Sequence, residues 1–287
     1  MSCEGTYRGR IAPSPTGLLH LGHARTFWTA YRRARDVEGT LVLRMEDLDP
    51  QRSRREFADA AIEDLQWLGI RWQEGPDVGG PCGPYAQSER QHLYEATFRV
   101  LRERGQVYPC RCSRKELALE AQAPHEGQGE DNEPVYPGTC RPESPHELAD
   151  LPGETSVANW RFRVPDGEAI EFSDGHFRAQ CFVAGKDFGD FLVWRRDGVP
   201  SYQLAVVVDD AAMNMTEVVR GADLLKSTAR QILLYRALDL PEPLWYHCEL
   251  VAGPDGGRLS KREDAMSLRA LRAVGIKVEE LLAIHKQ

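Results

Sequence analysis

Two histidines three residues apart, His20 and His23, close the stretch "RIAPSPTGLLHLGHART", which is broken by Pro13, Pro15 and Gly17. Imidazole nitrogens can hold an anion, and residues one helical turn apart can face the same point. Gly17 permits close backbone approach, and a helix start offers unpaired N–H groups to a phosphate. Near the far end, "GGRLSKRED" (256–264) places Lys261 in a glycine-flanked loop, from which a flexible ammonium can swing onto a phosphate. Sulfur supplies the third group. Cys110 and Cys112 in "PCRCS", with Tyr136 and Cys140 in "VYPGTC", offer three thiols and a phenol. Zinc takes four ligands, commonly thiolate and imidazole, so His125 and His146 rival the phenol for the fourth place.

These groups need a scaffold that brings them together. "YRGRIAP" reads as a strand ending in a loop, and "LGHARTFWTAYRRARD" as a helix with Phe27, Tyr31 and Ala34 at helical spacing. "TLVLRMED" reads as a second strand. "REFADAAIEDLQWLG" follows as an amphipathic helix stopped by Gly69. Strand–helix alternation of this kind predicts an α/β fold built on a Rossmann-type, doubly wound parallel sheet. The alternation returns after residue 190 with "FLVWRR", the apolar "YQLAVVV", "TEVVRG", the helix "TARQILLYRAL" and the strand "WYHCELV". Between the halves, residues 120–155 turn to Pro, Gly, Glu and Asp, which points to an inserted α+β subdomain carrying the metal site. The expected organisation is 1–104 and 189–250 as halves of the catalytic domain, 105–188 as the insertion, and 251–287 as the basic loop with a short helical stub.

Composition narrows the setting. With 287 residues and 41% hydrophobic content, the chain can bury one large core or two modest ones. No apolar run approaches the ~18 residues of a membrane span, and "MSCEGTYRGR" lacks a signal-peptide core, so a cytoplasmic protein is expected. Cys3, Cys82, Cys181 and Cys248 show no partner pattern, which suits a reducing compartment. The net charge of −8 is uneven: residues 1–57 hold ten arginines against seven acids, and 99–115 hold six basic residues against Glu103. Phosphate contact needs local positive charge rather than a basic average, so the runs around Arg32–Arg35 and Arg99–Lys115 are candidate RNA contacts.

HLGH after the first strand, paired with RLSKR after the last, resembles the HIGH and KMSKS signatures of the class I aminoacyl-tRNA synthetases. "RIAPSPTGLLHLGHART", "LRMEDLD", "PSYQLAVVVDDAAMNMTEVVRGADLL" and "TARQILLYRAL" look like the glutamyl branch, from about residue 8 to 270. The resemblance implies ATP and L-glutamate as substrates. His20, Gly22, His23, Ser260 and Lys261 would bind ATP, with His20, His23 and Lys261 catalytic. Arg10, Ala12, Ser14, Glu46, Tyr202 and Arg220 would hold glutamate, the arginines on carboxylate and Glu46 on the amino group. Guanidinium forks suit that task. Mg2+ is expected with ATP. The resemblance also favours Tyr136 beside Cys110, Cys112 and Cys140 around one structural Zn2+. RLSKR departs from KMSKS at Arg258, Leu259 and Arg262 but keeps the lysine.

Only about 25 residues follow Arg262, and "VVRGADLL" replaces the "RGEDH"-like run of the full-length enzymes. Both features look like the truncated paralogues that activate glutamate without tRNA and attach it to queuosine, the modified wobble base of tRNA(Asp). A minimal glutamyl-tRNA synthetase charging a 3′ end is the alternative. A nucleotidyltransferase with an HxGH loop leaves the glutamate-pocket residues unexplained, and a non-catalytic zinc module leaves HLGH and RLSKR unexplained. A monomer is the default expectation.

Overall fold

A computed structural model describes residues 6–112, 135–143, 158–251 and 267–283. Ser260 and Lys261, with the whole RLSKR motif, lie outside the described residues, as do His125 and His146. Strand β1 (Arg8–Ile11) pairs in parallel with β2 (Thr40–Leu43), joined by helix α1 (Leu21–Asp36). Helix α2 (Arg55–Trp67) follows, then α3 (Gln91–Glu103). Strands β3 (Val107–Cys110), β4 (Asn159–Phe162) and β7 (Phe191–Trp194) form a separate antiparallel sheet in the order β3-β4-β7. A hairpin, β5 (Ala169–Asp174) and β6 (Arg178–Val183), adds itself to the edge of a parallel pair, β8 (Glu217–Gly221) and β9 (Leu244–Cys248), giving the order β6-β5-β9-β8.

The two parallel pairs abut where Thr216 N donates to the Arg8 carbonyl at 2.9 Å. The strand–helix alternation thus produces parallel pairing in both stretches, β1 with β2 and β8 with β9. Pairing also crosses residue 188. β7 joins the sheet of β3 and β4, and β5 lies in parallel with β9 through Asp174 and Trp245. Among the described residues of 105–188 the regular elements are the strands β3 to β6, and 135–143 is loop.

Helix α4 (Tyr202–Ala212) is the apolar "YQLAVVV" run, capped by Ser201, whose Oγ accepts from Leu204 N at 3.3 Å. Its residues Gln203 to Asp210 are all buried, so no polar face marks it as a helix in sequence. It packs on α5 (Leu225–Ala237). Two short helices, α6 (Leu268–Ala273) and α7 (Val278–Ala283), close the described chain. One core joins α3, α4 and α5 to the antiparallel sheet through Phe98, Trp160, Trp194 and Val207. A second lies between β1, β2, α1, α2 and α6, and includes Ile11, Leu43, Leu65 and Leu268. Among the described residues no helix is long and apolar enough to cross a membrane.

Candidate active site and metal centre

The loop after β1 sets the first group. Glu46 N donates to the Pro13 carbonyl at 3.0 Å and Arg54 N to the Pro15 carbonyl at 2.9 Å, pinning the segment that carries Ala12 and Ser14. His20 is the residue that caps α1 rather than a member of the helix. Its Nδ1 accepts from Gly22 N at 3.1 Å, while His23 Nδ1 accepts from His20 N at 3.1 Å. This reciprocal cap satisfies two of the orphan N–H groups of a helix start. It also assigns the tautomers: with both Nδ1 atoms accepting, each neutral ring carries its proton on Nε2 as a donor. The ring centroids lie 3.8 Å apart. Gly22 lies close under the ring: a Cβ there would sit 3.0 Å from His20 Cε1 and crowd it.

The flank of the second signature meets the first. His20 and Ser267 form a β-bridge, and Leu268 N donates to the Leu19 carbonyl at 2.8 Å. On the other flank Glu249 pairs with Arg25 of α1 at 3.2 Å.

Deeper, a charged cluster is closed from water. Arg10, within β1, donates to the Val219 carbonyl at 3.0 Å and faces Asp210 at 3.3 Å. Arg44, fully buried after β2, reaches Glu46 at 3.0 Å and Asp210 at 2.6 Å. Asp209 takes Arg90 at 2.6 Å, the Tyr94 hydroxyl at 2.9 Å and Gln87 at 2.8 Å. Burial raises the Glu46 carboxyl above its ordinary value, opposed by Arg44 and then Arg10. For Asp210 burial also pushes upward, but Arg44 and Arg10 outweigh it and the net shift is down. The Tyr202 phenol is raised by burial first and then by the Glu46 charge, with Arg220 and Arg10 opposing. The phenol therefore stands within electrostatic reach of Arg10, Glu46 and Arg220.

Arg220, on β8, is buried without a carboxylate. Its Nη1 donates to Gln231 Oε1 at 2.8 Å, its Nη2 to Thr228 Oγ1 at 2.6 Å and its Nε to His247 Nε2 at 3.2 Å. Gln231 is held in turn by Gln203, at 2.9 Å. Among the described residues no acid lies within ion-pair distance of this guanidinium, and a buried cation calls for an anion. Three of its five N–H donors are used, leaving two for a carboxylate.

The sulfur cluster forms a second centre. The thiols of Cys110, Cys112 and Cys140 lie within 4.8 Å of one another. Cys112 Sγ is 3.8 Å from Cys140 Sγ, and the Tyr136 hydroxyl is 3.5 Å from Cys110 Sγ and 3.3 Å from Cys112 Sγ. Tetrahedral zinc, with Zn–S near 2.3 Å and Zn–O near 2.0 Å, sets sulfurs about 3.8 Å apart and sulfur from oxygen about 3.5 Å apart. The residues present fit such an ion. Cys140 N donates to the Tyr136 oxygen at 2.9 Å, and Arg161 stacks 3.7 Å from that ring while donating to Cys110 Sγ at 3.3 Å. A buried guanidinium here favours anionic ligands. Burial pushes the Cys112 thiol up to about 11, against a lowering hydrogen bond from Tyr136. A divalent cation reverses such a shift, because a coordinating thiol is deprotonated.

Some candidates have other work. Arg33 pairs with Glu217 at 2.6 Å and lies over the Tyr246 ring, and Arg104 donates to the Ala237 carbonyl and pairs with Asp239 at 2.8 Å. Arg33 thus ties α1 to β8, and Arg104 ties the end of α3 to the end of α5. Sequence reasoning missed Arg44, Asp209, Asp210, Thr228, Gln231 and His247. Arg44, a charge at the end of "TLVL", and "DD" after "LAVVV" were the available signals, since charges in apolar runs are buried only when paired.

The model of the class I tRNA synthetases (E and Q), catalytic domain, matches residues 6–284. The chain belongs to this family. A protein of Symbiobacterium thermophilum named glutamyl-Q tRNA(Asp) synthetase is 51% identical over 96% of this chain and 84% of its own. One of the same name from Nitratidesulfovibrio vulgaris is 49% identical over 94% and 82%. The structure of a glutamate-tRNA synthetase from Elizabethkingia anophelis superposes with a TM-score of 0.76 at 31% identity, covering 95% of this chain and 54% of that one. This chain therefore spans about half the length of that structure. Class I tRNA synthetases are ligases, and the chain shares their α/β fold with parallel sheets.

Proposed function

We propose that this class I synthetase activates L-glutamate with ATP, without tRNA, and transfers it to the queuosine base at the wobble position of tRNA(Asp). The observation that carries the amino-acid reading is Arg220, a buried guanidinium whose partners are all neutral, beside Arg10, Glu46 and Tyr202. The two relatives at 51% and 49% identity, by their names, support the queuosine reading.

In this reading Arg220 takes the side-chain carboxylate, and Glu46, kept in place by Arg44, takes the ammonium. Arg10 neutralises the α-carboxylate, and Tyr202, Ala12 and Ser14 line the pocket. A carboxylate oxygen attacks the α-phosphorus of ATP, the bond to pyrophosphate breaks, and glutamyl-adenylate remains. A queuosine hydroxyl then attacks the acyl carbon and AMP leaves as the ester forms. His20 and His23 donate from Nε2 to phosphate oxygens, with Gly22 leaving room for the His20 ring. Ser260 and Lys261 act on the departing pyrophosphate. Such transfer asks a protein mainly for positioning and charge stabilisation. Mg2+ bound with ATP supplies further neutralisation. Zn2+ held by Cys110, Cys112, Tyr136 and Cys140 would fix the insertion and take no part in the chemistry.

The test is incubation with ATP, radiolabelled glutamate and tRNA from cells that make queuosine or lack it. Label only on the queuosine-containing pool, surviving removal of the 3′-terminal adenosine, supports the reading. Label on both pools, lost with that adenosine, overturns it in favour of 3′-end charging.

A further inference from the structure

A hydrogen-bond relay runs from the insertion's hairpin to the amino-acid pocket. Asp174 ends β5, where β5 lies in parallel with β9, and its carboxylate is buried. Oδ1 accepts from His176 N at 2.9 Å and Phe177 N at 2.8 Å, closing the hairpin turn. Oδ2 reaches across to β9, accepting from His247 N at 3.0 Å and meeting His247 Nδ1 at 2.7 Å. His247 is fully buried, and its Nε2 lies 3.2 Å from Arg220 Nε and 3.0 Å from Thr228 Oγ1.

The chemistry of the donors fixes the proton. An ionised Asp174 only accepts, so Nδ1 carries hydrogen, and Arg220 Nε–H only donates, so Nε2 carries a lone pair. The other tautomer sets an N–H against the guanidinium and two acceptors against each other. We propose that Asp174 is a positioning residue for the amino-acid pocket: by holding the His247 proton on Nδ1, it makes Nε2 the acceptor that aims Arg220 at the substrate carboxylate. The proposal rests on the reading of Arg220 as a carboxylate ligand. It gives the insertion a role in amino-acid binding through a residue that touches no substrate.

The relay explains why Arg220 is met by neutral groups. A carboxylate in direct contact would occupy the N–H donors the substrate needs and cancel the attraction for it. An imidazole between Asp174 and Arg220 passes on orientation while keeping the anion one ring away.

The test uses the full chain in glutamate-dependent ATP–pyrophosphate exchange, titrating glutamate and ATP separately. Asp174→Asn presents an amide donor where Oδ1 or Oδ2 accepts, so the imidazole loses its fixed tautomer. The glutamate KM is expected to rise about 10-fold or more, with the ATP KM unchanged. His247→Gln sets a side-chain oxygen near the Nε2 position and needs no tautomer, so its glutamate KM should stay within a few-fold of wild type. His247→Leu should behave like Asp174→Asn. Adding Asp174→Asn to His247→Gln should then produce no further glutamate-specific rise.

An unchanged glutamate KM in Asp174→Asn overturns the relay. So does an additive double variant, or a rise in both KM values that follows a loss of Tm. If Asp174→Asn fails to fold, the contrast between His247→Gln and His247→Leu decides alone, and equal effects of the two overturn the proposal. Arg220→Ala separates this from the underlying reading. Unchanged glutamate KM in that variant overturns the carboxylate role itself, whereas a rise there with none in Asp174→Asn overturns only the relay.

Discussion

Leu268 donates its backbone N–H to the carbonyl of Leu19 at 2.8 Å, and this bond stitches the chain after the second signature to the residue before His20. The two signatures lie over 230 residues apart in sequence. The anchor is reinforced by the His20–Ser267 bridge and by the burial of Leu268 in the core beneath α1.

Leu268 is the first residue of α6, and Ser267 before it is extended (φ −67°, ψ 147°), a conformation that tolerates a following proline. Leu268→Pro therefore deletes the bond to Leu19 without breaking α6, whereas Leu268→Ala keeps the bond and loses only packing. The proline variant should be less stable than the alanine variant by about 1 kcal/mol in urea unfolding. It should also lose more adenylation activity, and equal behaviour of the two would remove the bond's importance.

Lys261→Ala should slow glutamyl-adenylate formation by about 100-fold or more, as expected for a group that stabilises leaving-group charge, while Tm stays unchanged. Pre-steady-state adenylate formation measures it. Near-normal activation counts against the assigned role.

Arg44 holds Glu46 and Asp210 and has no access to water. Arg44→Met leaves those carboxylates buried without their common cation and should cost about 3–5 kcal/mol of stability. The glutamate KM should rise too, because Glu46 loses its partner. Denaturant melts and exchange kinetics on one preparation test both.

Cys110→Ser should lower bound zinc and loosen the insertion, and Tyr136→Phe should weaken retention of the metal against a chelator. Atomic absorption on dialysed protein reads both. Zinc content unchanged in Cys110→Ser would dismiss the site.

His247 carries a pKa lowered to about 4 from its ordinary 6.5, chiefly by burial, with Arg220 adding to the effect and Asp174 opposing it. The folded protein thus takes up this proton at lower pH than the unfolded chain does. The stabilisation is fully present above about pH 6.5 and is lost as pH falls towards 4, amounting to about 3 kcal/mol. Asp174, itself shifted down, is lost at still lower pH: its contribution fades as pH falls below the ordinary aspartate value. His247→Gln should flatten the stability profile between pH 6.5 and 4, and an equal slope in both proteins would contradict the assignment.

Much of the fold was legible because local rules and tertiary packing agree along it. The helix read over "LGHARTFWTAYRRARD" is α1, residue for residue, since an apolar stripe and a capping histidine both start it at Leu21. α2 was readable from its amphipathic spacing, and β1 and β2 as short runs, the first ended by a Pro/Gly loop and the second apolar. Helix α4 carried no such stripe, because burial on every side erases the polar face that periodicity detects.

The sequence by itself determined which residues are available for chemistry: two histidines at helical spacing, a cysteine cluster and arginines in apolar strands. Residue type and spacing are local properties, and the chain states them directly. Only the tertiary structure decided that Tyr136 meets the thiols of Cys110 and Cys112 and that Leu268 is bonded to Leu19. It alone set Arg220 among neutral partners, with Asp174 of the hairpin one imidazole away. Most of those contacts join residues from about ten to hundreds of positions apart, and they form only when sheet pairing and burial exclude water between them.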